Sequence, residues 1–375
     1  MSARARGGPA NALADALDPA VPVPVAAPGP RRRVPHVARL AARPWLTFPV
    51  GIAVLLGSMA VAVRLGTSDV SYGEIGRAVG GRMWLPVEPL PPLTDSLIWE
   101  LRVPRVLLAA LVGASLAVCG AVLQSVTRNA LADPYLLGVA SGASTGAVTV
   151  LVLGVGADSL GVTGGAFAGA LASFGLLLLL LRRTALDSSR VVLTGVVVWH
   201  LFVALTSLIL MGSGDADDTR AMMRWLLGSM ATARWDAVVV CAVVGAAGLV
   251  VCWLCATALD GFAFGTDTAA SLGVNVRVTR MVLLVTTALL TAAAVAYVGA
   301  IGFVGLIVPH GVRFVVGPLH RVLLPASALA GAVFLVWTDA LSRVAFDPRE
   351  VPVGVFTALV GVPLFLAILR RRGEI

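Results

Sequence analysis

The chain contains no lysine: all 28 of its basic residues are arginine. A Walker loop needs a Lys on the β- and γ-phosphates, so this absence excludes an ordinary ATPase. It also excludes a Lys Schiff base with retinal or pyridoxal phosphate. Charge of either sign is scarce, at 13% of 375 residues, where a soluble domain has about 25%. Cysteine is limited to Cys119, Cys241, Cys252 and Cys255, each inside an apolar run. Cys252 and Cys255 form a C-x-x-C pair, but no second ligand pair stands nearby to complete a zinc site. They read as small packing residues. Paired carboxylates in one pocket, a nucleophile elbow and a metal-ligand cluster are missing too. The reading is therefore of a non-enzyme with no catalytic residue, no cofactor and no metal site.

Apolar sequence is what the chain has in excess. Hydrophobic residues make up 58% of it, and the mean hydropathy is +0.93. One globular core cannot hide that much, because long apolar runs recur from Trp45 to Leu369. Bilayer hydrocarbon accepts them, and a span needs roughly 20 apolar residues. Ten spans are predicted, at 45–66, 103–127, 134–157, 160–181, 190–212, 236–257, 279–298, 301–317, 322–342 and 352–370. The third and eighth are Gly-rich, and the eighth is short and carries Pro309, so both read as broken or re-entrant. The expected fold is all-α, a polytopic membrane protein. Residues 1–43, rich in Ala, Pro and Arg, read as a disordered tail, and 44–375 as the membrane domain.

The net charge of +8 marks a membrane side, not an affinity for nucleic acid. Ten spans put both termini on one side, and placing them inside puts 18 of the 28 Arg in inner segments. The positive-inside rule makes that side cytoplasmic. Trp45, Trp99 and Trp235 fall at span ends, where interfacial Trp belongs. The chain also echoes itself at an offset of 175 residues: Arg102-Val-Pro-Arg105 against Arg277-Val-Thr-Arg280, Pro134 against Pro309, Gly142 against Gly317. Five spans separate the copies, so they would be inverted, the arrangement that places a transporter's substrate path at the repeat interface.

Several residues are candidates for work. Gly161, Gly165 and Gly169 recur on one helix face and let a neighbouring helix approach closely. The segment 259–278 is the longest internal cytoplasmic stretch. In it Asp267 or Thr268 could cap a short helix ended by Gly273, with Ala269 and Ala270 as a small-residue face. That helix suits a groove on a partner, though a plain connecting loop fits the residues equally. Arg102, Arg105 and Arg343 stand at outer span ends, Arg343 four residues after Asp339. They suit either carboxylates of an extracytoplasmic partner or interfacial anchoring. His200 lies mid-span beside Trp199, either on a path or hydrogen-bonded to a neighbouring helix. Asp339 is the one clear intramembrane acid, at an outer end, which disfavours a transporter coupled to an ion gradient.

The motifs then resemble a known family, the permease subunits of type II ABC importers for iron–siderophore, haem and cobalamin uptake. The most specific block is Gly299-Ala-Ile-Gly-Phe-Val-Gly-Leu-Ile-Val-Pro-His310 with Arg313 behind it. Others are Leu101-Arg-Val-Pro-Arg105, Gly120-Ala-Val-Leu-Gln124, Asn129-Ala-Leu-Ala-Asp-Pro134 with Leu137-Gly138, Ser271-Leu-Gly273, and Pro352-Val-Gly354 continuing through Thr357, Gly361, Pro363 and Phe365. The likeness runs from about Leu101 to Arg372; Ala130 replaces the family's usual Pro, and the tail and segment 67–100 fall outside the pattern. The resemblance implies a multi-pass plasma- or inner-membrane subunit working by alternating access. It implies a second permease, the same or related, and cytoplasmic ABC ATPases docked on a coupling segment, Asp267, Ala269, Ala270, Leu272 and Gly273. It also implies a substrate-binding lipoprotein outside, meeting Arg102, Arg105 and Arg343. The Gly- and Ala-rich spans would wall the path, with His200, Gly138, Gly142, Gly302, Gly305 and Pro309 as candidates. A ferric siderophore is the expected cargo on family frequency, with haem or cobalamin as the alternative.

Overall fold

The computed structural model describes residues 44–66, 68–157, 159, 161–182, 188–212, 216–346 and 349–372. The tail expected over 1–43 lies outside them. The described residues are helical, with no strand among them. In chain order, α1 is Pro44–Arg64, α2 is Tyr72–Arg82, and α3 is Pro92–Val126 with a π-helical stretch at Leu97–Arg102. Then come α4 (Val139–Leu153), α5 (Gly161–Leu181), α6 (Ser188–Met211), α7 (Ala216–Leu226) and α8 (Trp235–Leu254). Two short helices follow, α9 (Ala256–Ala263) and α10 (Thr266–Ser271), before α11 (Val276–Val298), α12 (Val304–Val316), α13 (His320–Val344) and α14 (Val353–Arg372).

A helix stands at each of the ten expected spans. Seven (α1, α3, α5, α6, α8, α11 and α13) are long and apolar enough to cross a bilayer. The third and eighth are the short ones: α4 has 15 residues and α12 has 13. At 1.5 Å per residue they reach roughly 22 and 20 Å, less than the ~30 Å hydrocarbon core. Irregular backbone leads into each. A 3₁₀ turn at Pro134–Leu137 and Gly138, at φ +72°, precede α4; Gly299 to Phe303, which begins and ends at positive φ, precedes α12. Such backbone persists at membrane depth only where its polar groups find partners. Here the Ile301 N–H donates to the Tyr135 hydroxyl, and the Ser229 N–H donates to the Val298 carbonyl at 2.8 Å.

The repeat is visible in the order of elements. Helices α3 to α6 run long, short, long, long, and α11 to α14 begin the same way. The first helix of each set packs on the second and third of the other: α3 on α12 and α13, α11 on α4 and α5. The Arg pairs open matching helices, but the other two echoes do not coincide. Pro134 starts the 3₁₀ turn while Pro309 is inside α12, and Gly142 is inside α4 while Gly317 ends α12. The connecting stretches differ in length, so a fixed offset drifts out of register.

Glycine sets the closest helix contacts. A Cβ on Gly146 would lie 2.0 Å from the Gly165 carbonyl oxygen, and one on Gly169 would lie 2.2 Å from that of Gly142. Gly165 and Gly169 therefore serve the α4–α5 contact as expected. Gly161 does not, since nothing lies within 4 Å of its would-be Cβ.

Candidate functional site

The three rim arginines gather at the start of α3, but their guanidinium groups turn inward. An α-helix leaves its last four carbonyls without helical partners. In α1 the Leu65 N–H takes the Val61 carbonyl. Arg343 donates to Ala62 O at 2.8 Å and to Leu65 O at 2.6 Å, and Arg102 donates to Val63 O and Arg64 O, both at 3.0 Å. Every orphan carbonyl of α1 is thereby satisfied, with positive charge at the negative end of the helix dipole. Arg102 and Arg343 are only 7% and 5% exposed. The expectation of free guanidinium forks on the rim is corrected for these two. Arg105 pairs with fully buried Asp339 at 3.0 Å and with half-exposed Glu350 at 3.0 Å. Asp339 also takes Arg343 at 3.2 Å, the expected pairing across four residues.

The π-helical stretch ends on Arg102. The Trp99 carbonyl in it accepts the Trp235 indole N–H at 3.0 Å, and the two rings lie 4.6 Å apart. Arg82, paired with Asp95, covers the Trp99 ring at 4.9 Å. Two of the expected interfacial Trp are thus clasped together.

A crevice of about 410 Å³ opens where the two irregular stretches meet. Asp133, Tyr135 and Leu136 line it on one side, Gly302, Phe303 and Leu306 on another, and Val196 and Trp199 of α6 on a third. Of the six residues expected on a path, Gly302 is the one that lines it. Gly142 is held against Gly169, Gly305 lies against Pro134 and the Leu116 carbonyl, and Pro309 is buried in α12. The Gly138 carbonyl accepts both the Ser141 and Ser173 hydroxyls at 2.8 Å. His200 is exposed on α6, its ring 4.6 Å from that of Trp199. Small residues at these places serve close packing, which composition alone cannot tell from a path wall. Asp133 is not singled out by the sequence pattern; its carboxylate caps the 3₁₀ turn beside the crevice, accepting the Tyr135 N–H at 2.9 Å.

At the other end of α3, α9 and α10 form a small helical hairpin. Gly265, at φ +112°, turns the chain between them. The expected Gly273 stop is present: its N–H donates to Ala270 O at 2.9 Å and the Val274 N–H to Ala269 O at 3.1 Å, with Gly273 at φ +83°. That is the paired bonding of a Schellman end. Asp267, Ala270, Leu272 and Gly273 are exposed. Ala269 departs from the expected face: it is buried beside Gly261 and Phe262. Two uncovered apolar side chains flank α10, Phe264 at 79% and Leu272 at 71% exposure.

Comparison with known proteins decides the family. A profile described as the FecCD transport family matches residues 34–371. The chain belongs to the FecCD transport family. It is an ABC importer permease with multiple membrane passes. It is 40% identical to the cobalamin import system permease protein BtuC of Halobacterium salinarum, over 99% of this chain and 98% of that protein. It is 33% identical to the iron(3+)-hydroxamate import system permease protein FhuB of Bacillus subtilis, over 86% and 82%. A solved structure described as an inward-facing, metal-chelate type ABC transporter superposes with a TM-score of 0.76 at 29% identity, covering 87% of this chain and 99% of that one. The likeness is wider than the motif blocks indicated: it takes in α1 and the segment 67–100.

The permease also holds a polar chain that motif reading missed. His320, the first residue of α13, presents both its backbone N–H (3.0 Å) and its Nδ1 (2.6 Å) to the Asp260 carboxylate of α9. Its Nε2 lies 2.6 Å from the Ser125 hydroxyl of α3, which also accepts an Arg313 N–H of α12 at 3.2 Å. These four residues lie far apart in sequence and share no spacing rule. Gln124 was quoted only as part of a motif; its side-chain N–H₂ donates to the Gly305 and Leu306 carbonyls at 3.2 and 3.1 Å, clamping the start of α12.

Proposed function

We propose that this permease carries bulky metal chelates into the cell, a cobalamin-type corrinoid first among them, with ATP hydrolysed by separate subunits docked on 259–278. The observation that carries the cargo reading is the 40% identity to cobalamin permeases from both Halobacterium salinarum and Vibrio cholerae. The ferric siderophore expected from family frequency is the second reading, favoured by the hydroxamate permease of Bacillus subtilis.

In this reading both termini and the α9–α10 hairpin face the cytoplasm. Exposed Phe264 and Leu272 offer a partner ATPase an apolar grip, with Asp267 and Ala270 between them and Gly273 just after. The binding protein docks on the opposite end. Arg102 and Arg343 shape that surface by pinning α1, and Arg105 meets the partner through the place Glu350 now fills. A second permease, identical or related, closes the crevice beside α6, whose Leu193 and Val197 are exposed. A nearly apolar path fits alternating access, because a wall that grips the cargo tightly would stall its release.

The test is uptake into proteoliposomes holding the permease and an ABC ATPase, with cyanocobalamin and a ferric hydroxamate as probes. ATP-dependent accumulation of cyanocobalamin is expected. Accumulation of the hydroxamate alone would carry the second reading. Uptake driven by a proton gradient without the ATPase would refute both.

A further inference from the structure

Three helices of the conduit end on one polar chain, and that chain is rooted in the hairpin. Asp260 belongs to α9, His320 to α13, Ser125 to α3 and Arg313 to α12. Around them Leu259, Phe262 and Ala269 of the hairpin are fully or almost fully buried against Val118, Ala121, Val122 and Val126 of α3, Leu283 of α11, and Leu324 and Ala328 of α13. The apolar contacts hold the hairpin close. They are non-directional and tolerate sliding. The polar links do not slide. Asp260 Oδ1 takes two N–H groups of one residue, so it fixes both the position of the α13 N-terminus and the angle of the His320 ring. That ring fixes Ser125, and Ser125 is shared with Arg313.

The free energy behind this is directional. His320 is 3% and Ser125 7% exposed, so a lost partner leaves a polar group without water to replace it. Displacing α9 alone would strand the backbone N–H and the Nδ1 of His320. Moving α3, α12 and α13 with it strands neither. A buried network with all its members satisfied favours concerted motion over local slip.

We propose that the Asp260–His320–Ser125–Arg313 chain is the linkage that transmits movement of the α9–α10 hairpin to α3, α12 and α13. This rests on the reading of 259–278 as the ATPase-coupling segment, and adds the positioning residues through which that segment acts. The four side chains touch neither nucleotide nor cargo.

Hydrogen–deuterium exchange on the permease–ATPase complex in nanodiscs tests it, comparing the nucleotide-free and ATP–vanadate states. In the wild type, closing the ATPases changes exchange in 256–271 and also in 103–126, 304–316 and 320–344. In Asp260→Ala and His320→Ala the change at 256–271 persists, and the change in the other three stretches falls by about tenfold, the scale of a coupling carried by one buried link. Asp260→Asn retains an oxygen that can accept both N–H groups, and restores the response. A merely structural role would lower the thermal midpoint of the variants and leave the pattern of response intact. The same response in both Ala variants as in the wild type overturns the linkage. If the wild-type hairpin itself ignores nucleotide, the coupling role of 259–278 falls, and the linkage with it. Should Asp260→Ala not assemble, Ser125→Ala, which severs the chain on the far side of His320, is read in the same way.

Discussion

Asp339 is fully buried and is held by two arginines, Arg105 and Arg343. Arg343 serves a second purpose, closing the end of α1 through the Ala62 and Leu65 carbonyls. Replacing it with Ala removes one counter-charge and strips two buried acceptors at once. A loss of about 3–5 kcal/mol is expected, the cost of breaking a buried ion pair from one side. Thermal unfolding in detergent should show a lowered midpoint, and Arg343→Lys should recover only part, because an ammonium lacks the planar fork. A midpoint like that of the wild type would contradict the capping role. The sequence placed these arginines correctly at the ends of spans. It did not show what Arg102 and Arg343 hold at the end of α1, because those acceptors are backbone carbonyls 38 to 281 positions away, which no side-chain pattern marks. The Asp260–His320 pair was illegible because 60 positions separate its members.

Among the elements, α4 and α5 are joined by glycine. Gly146→Ala would put a methyl 2.0 Å from the Gly165 carbonyl oxygen and force the two helices apart, at about 1–3 kcal/mol. Gly175→Ala, in the same α5 but with nothing within 4 Å of its would-be Cβ, should instead stabilise, since Ala is the better helix former by up to ~1 kcal/mol. Opposite shifts in thermal midpoint are expected, and equal shifts would remove glycine from the account of this contact. Apolar run length was enough to place a helix at each of the ten expected spans, seven of them long enough to cross a bilayer, because hydrocarbon imposes one requirement on every helix. Gly content and Pro309 were enough to mark the third and eighth as irregular. The π-helical stretch in α3 and the inward turn of Ala269 were not legible in the apolar pattern. Of the glycines expected on a path, Gly142 and Gly305 stand at close helix contacts while Gly302 lines the crevice: a residue without a side chain suits both roles, and only the neighbour decides.

At the scale of the whole molecule, the permease is a helical membrane protein with an interlocked repeat, a nearly apolar crevice, and two ends joined by α3. One end is braced by buried arginines. The other carries a hairpin with apolar side chains that nothing among the described residues covers. The absence of lysine, read from composition alone, leaves the chain without the Lys of a Walker loop. The most direct test is capture of an ABC ATPase by the permease in nanodiscs, for the wild type and for a Phe264→Arg, Leu272→Arg double variant. The account predicts no ATP hydrolysis by the permease alone, capture by the wild type, and capture at least about tenfold weaker in the variant with its thermal midpoint unchanged. Equal capture by both forms, or ATP hydrolysis by the permease without a partner, would contradict it.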